Sequence, residues 1–356
     1  MHQRIVYPVL LGCFLVLMVC SAYAHDDSGF LKVGRFLSVA ETHKEPFPIE
    51  PLKGVSSGLE SYFSFDSSKL IFYAKLQEDD TLHHTYVVNL DGTGLQRIND
   101  TGEDTCSFFF PDNKRVIYTS TKDNTHMAKG NWSSSRHYPQ GAELYVANLD
   151  GSNVRRLTDN QYYDAEVSVS PDGQWILFAR QIDGRLDLWR MRSDGSEEQQ
   201  ITHTAELQEG GAFYMPDSET ILFRAWNYSD EDKQGKPMEI YTVKHDGTGL
   251  RRLTFDQGLN WAPYPAPDNK HFVFAKMLPP HNFEIYLMNI ETGEQTRLTY
   301  NDAFDGFPSW SPDGQTLSFS SSRNPQPGKR RLSVFLMDVS ELGVRPSASS
   351  ALASMQ

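Results

Sequence analysis

Apolar and polar residues alternate with a period of two along most of this chain, and the alternation breaks and restarts at regular intervals. The run LYVANLDGSNVRRLT from Leu144 alternates, stops at Asp150-Gly151 and resumes as a short basic-apolar segment. LWRMRSDGSEEQQIT from Leu188, IYTVKHDGTGLRRLT from Ile240, TYVVNLDGTGLQRI from Thr85 and IYLMNIETGEQTRLT from Ile285 repeat the pattern. A period of two is the mark of strands with one face buried, and Asp-Gly between two such runs is a hairpin signal, because glycine tolerates the positive φ of a tight turn. Each copy therefore predicts two antiparallel strands. Another punctuation precedes each pair: FPDN at Phe110, SPDG at Ser170, MPDS at Met215, APDN at Ala266, SPDG at Ser311 and a degenerate FDSS at Phe65. Its aspartates, Asp66, Asp112, Asp172, Asp217, Asp268 and Asp313, are 46, 60, 45, 51 and 45 residues apart. That is the period of a four-stranded propeller blade, with one insertion.

The prediction is an all-β protein, a six-bladed β-propeller of four-stranded blades. In the third blade the inner strand A is expected at 165–170, B at 175–180, C at 186–192 and D at 197–202. The sixth blade shows A at 307–311, B at 316–321 and C at 332–339 but no D. An N-terminal strand must then close the ring, best placed at Ile49 to Leu52; closure of this kind removes sheet edges that invite aggregation. The expected layout is a leader over 1–24, an extension over 25–48 with a further β-like run at Phe30 to Val39, the propeller over 49–342, and a small-residue polar tail over 343–356.

The SPDG and LYVANLDGSNVRRLT units resemble the PD-type repeats of the TolB family of periplasmic propellers. YDAEVSVSPDG at Tyr163, GGAFYMPDS at Gly210 and FDGFPSWSPDG at Phe304 carry the same likeness. It covers about Ile49 to Val339. The resemblance implies the fold and a periplasmic setting. No α/β domain of the kind that true TolB carries is legible ahead of the repeats, so a direct Tol–Pal role is not carried over.

Composition changes this picture in two places. Arg4, the apolar run Ile5 to Val19 and Ala22-Tyr23-Ala24 form a signal-peptide pattern. The alternatives are an uncleaved anchor or a lipoprotein, and the latter meets Val19 before Cys20 where a small residue belongs. An exported chain is expected, periplasmic if the cell is Gram-negative and secreted otherwise, close to a membrane only by proximity. Of three cysteines, Cys13 and Cys20 leave with the leader and Cys106 remains, expected as a small buried hydrophobe. The formal net charge is −13, which argues against a nucleic-acid partner.

Candidate chemistry collects where strands A enter the central channel. Seven residues before each turn proline stand Asp104, Asp164, Glu209, Asn260 and Asp305, with Gly58 in the first blade and Glu60 two residues on. Glu166 follows Asp164 on the same face. The ends of strands B bring Lys75, Lys122, Arg180, Arg224, Lys276 and Arg323. Three readings stand open: a salt-bridge ring that pins the blades, a hard cation such as calcium held by Asp104, Asp164, Glu209 and Asp305, or a polar ligand pocket. Two insertions emerge on that face. One spans 122–141 with Asp123, His126, Trp132, Arg136, His137 and Tyr138, and the other spans 226–237. Aromatic side chains beside charges suit a protein, peptide or carbohydrate partner. His126 and His137 are eleven residues apart without a third ligand nearby, a poor zinc pattern. Gly54 to Gly58 satisfies G-x-S-x-G, yet a β-strand follows where a nucleophile elbow needs a helix, so it reads as a loop.

The expected function is a non-enzymatic binding module that works through the channel mouth and loops. A metal-assisted polysaccharide lyase or hydrolase using the carboxylate ring, and an envelope scaffold, are the alternatives. The mature chain is expected to begin at His25 and to be soluble. N-terminal sequencing of the exported product checks this, and Met1 retained in a membrane-bound product would overturn it.

Overall fold

Each Pro-Asp turn is closed by its own aspartate. Asp112 accepts the N–H of Lys114 at 2.9 Å, Asp172 that of Gln174 at 3.0 Å and Asp313 that of Gln315 at 3.0 Å. These are Asx turns, in which a side chain takes the place of a backbone acceptor. The Asp-Gly turns use the same device: Asp150 accepts Ser152 N–H at 2.9 Å, and Gly151 supplies a φ of 78°. Both punctuations are thus structural, and they set six blades. In this computed structural model, which describes residues 45–77, 79–233, 235–323 and 331–346, six four-stranded antiparallel sheets follow one another. The protein is a six-bladed β-propeller. No helix among the described residues is long and apolar enough to cross a membrane. The leader and the Phe30 to Val39 run lie outside the described residues, as do residues 347–356 of the expected tail.

The ring closes as the sixth blade requires. Ile49–Pro51 pairs antiparallel with strand C of that blade, Ser333–Asp338, placing Ile49 opposite Met337 and Pro51 opposite Phe335. The Leu52 N–H donates to Val334 O at 2.9 Å, and the Asp338 N–H to Pro48 O at 3.0 Å. Phe47 and Ile49 pack on the Phe335 and Met337 cluster, so the closing strand also contributes apolar burial.

Two expected boundaries shift, each for a physical reason. Inner strands begin two residues earlier than expected, at Tyr163 and Asp305, because each continues past an internal bulge that interrupts the alternation. The outer strand of the third blade shrinks to Gln199–Gln200. There the threonine of the terminal Ile-Thr pair replaces a backbone partner: the Leu188 N–H donates to Thr202 Oγ1 at 3.0 Å. Thr158, Thr254 and Thr299 repeat this toward Leu144, Ile240 and Ile285. Between the sheets, the middles of strands B are buried on both faces, for example Ile71-Phe72, Leu177-Phe178, Leu222-Phe223 and Val273-Phe274.

The seams between blades are polar at one end. The Asp104 N–H donates to His83 O at 2.9 Å, the Asp164 N–H to Ala142 O at 3.0 Å and the Asn260 N–H to Met238 O at 3.0 Å. The side chains at these positions are fully buried. Asp104 accepts from Thr85 N–H at 2.9 Å and from Asn99 at 2.7 Å, and Glu209 accepts from Thr204 at 2.7 Å. A second set of glutamates starts strands C. Glu284 accepts from Arg297 at 2.8 Å and from the Asn301 N–H at 3.0 Å, and Glu143 and Glu239 have the same kind of partners. Burial pushes the carboxyls of Asp104, Glu209 and Glu284 up to about 7, against the hydrogen bonds that lower them. Burial likewise raises Asp305 and Glu143.

Two outcomes follow from closure and from the seams. Removing residues 25–52 strips strand Ser333–Asp338 of its outer neighbour. At about 1 kcal/mol net per ladder bond, and about 2–4 °C per kcal/mol in a chain of a few hundred residues, the melting temperature should fall by at least about 5–10 °C. An unchanged melting curve would mean that the closing strand is dispensable. The seam carboxyls, with folded values above their unfolded ones, bind extra protons only in the folded state between about pH 4.5 and 7. Their contribution is complete below that window and is lost as pH rises through about 7. The protein should melt several degrees higher at about pH 5.5 than at about pH 8, and Glu209→Gln should flatten that slope. Equal slopes in wild type and variant would overturn the assignment.

Candidate functional site at the channel mouth

Every inner strand bends at the same place, five residues before the turn proline or its counterpart. There Glu60, Cys106, Glu166, Gly211, Ala262 and Phe307 have φ of 48°, 39°, 54°, 56°, 48° and 52°. The pairing register shifts at each of these points. A left-handed residue in a bulge re-aims its side chain. All six line one cavity of about 250 Å³ in the channel.

The floor of that cavity is aromatic. Two residues further along each inner strand, four of the six blades carry a ring: Tyr62 and Phe213, which line the cavity, and Phe108 and Tyr264, which pack against them. Their centroids lie 4.9 Å apart for Phe213–Tyr264, 5.3 Å for Tyr62–Phe213, 5.4 Å for Tyr62–Phe108 and 5.7 Å for Tyr62–Tyr264. They meet across the axis as a plug. The other two blades place serines there, and Ser168 and Ser309 donate to Ala212 O at 2.9 Å and Ser61 O at 2.7 Å.

The walls come from loops of the face where strands A begin. The 122–141 insertion contributes Trp132, Ser133, Ser135 and Tyr138, and the blade-four insertion contributes Trp226 and Lys236. Tyr138 stacks on Tyr163 with centroids 4.1 Å apart. The insertions clasp each other: Ser135 donates to Glu231, which also accepts from Trp226 Nε1 of its own insertion, and Arg136 pairs with Asp232 at 2.5 Å. The Lys236 ammonium pairs with Glu231 at 2.7 Å and sits 4.6 Å from the Trp226 ring centroid. On the opposite wall Trp261 lies 4.5 Å from Phe307, and Phe283 lies 5.4 Å from Phe304.

Charge in the cavity comes mainly from two neighbouring blades. Arg224 donates twice to Glu166, at 3.0 Å each, and the Gly211 N–H donates to the same carboxylate. A Cβ at position 210 would stand 2.1 Å from Glu166 Oε2, so the pair exists because Gly210 has no side chain. The ion pair keeps the guanidinium charged despite its burial. Glu60 is pushed up to about 7, first by burial and then by Glu166, against a hydrogen bond from Cys106 and the more distant Arg224. Burial also raises the Cys106 thiol well above its usual range.

Of the residues expected at the mouth, Glu60, Glu166, Arg224, Trp132 and Tyr138 line the cavity. Asp104, Asp164, Glu209, Asn260 and Asp305 do not; they are buried in the blade seams. The basic side chains expected beside them are largely consumed there. Arg180 donates to Asp164 at 2.6 and 2.7 Å and pairs with Glu198 at 2.5 Å, Arg323 pairs with Asp305 and Glu45, and Lys276 pairs with Asp256. Counting seven residues before the proline therefore lands two short of the channel. The bulge, not the straight alternation, decides which side chain faces inward. No three His, Cys, Asp or Glu side chains among the described residues are placed to hold a metal ion together. His126 and His137 are exposed on the insertion, outside the cavity lining. Cys106, expected as a buried hydrophobe, is half-buried in the cavity wall because its bulge turns it inward. The aromatic floor and the Trp261, Phe304 and Phe307 wall escaped the sequence reading. For the floor rings and Phe307 the signal is a fixed distance from the turn proline or its counterpart, legible only once the bulge is known.

No family model matches the chain. An uncharacterized protein of Agrobacterium fabrum is 27% identical over 190 residues, which is 49% of this chain and 60% of that protein. A TolB homolog of Chlorobium luteolum is 28% identical over 157 residues, 44% of this chain and 33% of the homolog. The matched part thus spans between about a third and three fifths of these relatives. Among solved structures, TolB from Acinetobacter baumannii superposes with a TM-score of 0.56 at 19% identity, covering 78% of this chain and 65% of that one. An oligogalacturonate lyase from Vibrio parahaemolyticus shares the fold with a TM-score of 0.51 at 12% identity, covering 82% and 94%. Six blades of PD-type repeats, matched by TolB proteins in sequence and in fold, make this chain a TolB-like β-propeller.

Proposed function

We propose that this propeller is an exported binding module that takes a segment of a protein partner into the mouth of its channel, without a catalytic step of its own. The observation that carries this reading is the blind aromatic cavity under two clasped insertions, on the face opposite the Pro-Asp and Asp-Gly turns. A rigid ring with a plugged floor cannot pass a chain through, but it can hold a side chain and the backbone around it. The TolB homologues support a protein as the partner class, and Arg4, the apolar run and Ala22-Tyr23-Ala24 support export. A peptide or a carbohydrate presented on a partner would meet the same walls. The lyase alternative needs a base and an electrophile stabiliser aimed at one substrate atom. Here the cavity's guanidinium is already held twice by Glu166.

Face-specific crosslinking tests the reading. A photoreactive residue at Ser133, exposed on the rim, should give discrete crosslinked products in cells, and one at Asp172, exposed on the turn face, should give none. Products from position 172 alone would place the binding face on the opposite side.

A further inference from the structure

Among the described residues, one carboxylate of the cavity has no ion-pair partner. Glu166 is matched by Arg224, and Lys236 by Glu231. Among the described residues, Glu60 forms no ion pair with a Lys, Arg or His. The titratable and charged groups around it are Cys106 on strand A of blade two, Glu166 on strand A of blade three, Arg224 on strand B of blade four, and Tyr62 and Tyr73 of its own blade. Burial outweighs each of these influences. A carboxylate half-withdrawn from water, with no cationic partner among the described residues, lacks the compensation that buried charges elsewhere in this molecule receive.

The rest of the cavity suits a cation. Aromatic faces attract an ammonium or guanidinium through their quadrupoles, and they pack against the methylene stem that carries it. Tyr138 and Tyr163 stand on one side, and Trp261, Phe304 and Phe307 on the other. The volume, about 250 Å³, is below the roughly 300–1,000 Å³ of pockets for drug-sized ligands and is on the scale of one long side chain. An acidic side chain would face Glu60 and would have to displace Glu166 from Arg224. A neutral apolar one would cover Glu60 without answering its charge. The chain's net charge of −13 also favours approach of a basic partner.

We propose that the cavity receives a lysine or arginine side chain of an extended peptide segment, with the cation at Glu60 and its stem between the aromatic walls. This rests on the channel-mouth reading above and names the chemistry of the segment.

Calorimetric titration with the pentapeptides Gly-Gly-X-Gly-Gly tests it, with X as lysine, arginine, norleucine or glutamate. The lysine and arginine peptides should bind at least about tenfold more tightly than the norleucine peptide, which has the stem without the charge, and the glutamate peptide should be weakest. Glu60→Gln should erase the difference between lysine and norleucine, and Glu60→Asp, which keeps the charge, should retain part of it. Affinity for the lysine peptide should fall as pH drops through about 7, where Glu60 takes up its proton. Equal binding of norleucine and lysine, preference for glutamate, or no binding by any pentapeptide would each overturn the basic side chain as ligand. If crosslinks at Ser133 persisted in that case, the channel-mouth reading would stand without it. A preference that survives Glu60→Gln would also overturn the role of that carboxylate.

Discussion

One left-handed residue in each inner strand organises this molecule. Ahead of it the strand is stitched to the preceding blade, as the Asp104 N–H is to His83 O and the Asp164 N–H to Ala142 O. After it the strand pairs on toward the turn proline and places rings such as Tyr62, Phe108, Phe213 and Tyr264 across the axis. At the residue itself the side chain is aimed into the channel. Five of the six positions are not glycine, so each costs on the order of 1–3 kcal/mol of backbone strain. Strain confined to one blade would suggest a local functional device. Repeated in six, it is a feature of the architecture, held by double-faced burial of the strands B behind it. The channel lining is therefore specified by six single residues rather than by six strand faces. A substitution at one of them changes the pocket while leaving the ladder in place.

That separation explains what the sequence made legible. Blade number, turn chemistry and the closing strand follow from alternation, from Asp side chains that satisfy their own turns, and from a missing D strand. All of these are local or periodic. The inward-facing residues were harder, because a bulge inserts a residue without any mark in composition. Asp164 and Glu166 share a face in a straight strand, and here they do different jobs. Asp164 is sealed in a seam with Arg180, and Glu166 stands in the cavity with Arg224. The glycines tell the same story. Gly210-Gly211 looks like loop chemistry in sequence, but in the fold Gly210 is the space into which the Glu166 carboxylate fits. Such a requirement is set by a side chain 44 residues earlier in the chain, and no local window contains it.

The seams and the mouth use the same residue types for opposite ends. In the seams, carboxylates sit among backbone N–H groups, amides, hydroxyls and guanidinium groups. They hold adjacent blades in register, and where no cation answers them, as at Asp104 and Glu209, burial favours the protonated form near neutral pH. Burying charge in this way is rarely the most stable solution, because desolvation offsets much of the attraction. What it contributes is geometry, since each carboxylate adds directional partners across the seam beside the backbone bond already there, as Asp104 does with Thr85 and Asn99.

The mouth inverts this logic. Its charged groups are few, and its walls are largely aromatic. Around the six inward positions the acidic residues fall on blades one and three, while blades four to six present Gly211, Ala262 and Phe307. A sixfold frame thus encloses a site with no sixfold symmetry, polar on one side and apolar on the other. The contacts of Ser135 and Arg136 with Glu231 and Asp232 tie the two rim insertions together. The cavity of this propeller is built from the repeat by breaking it, one inward residue at a time.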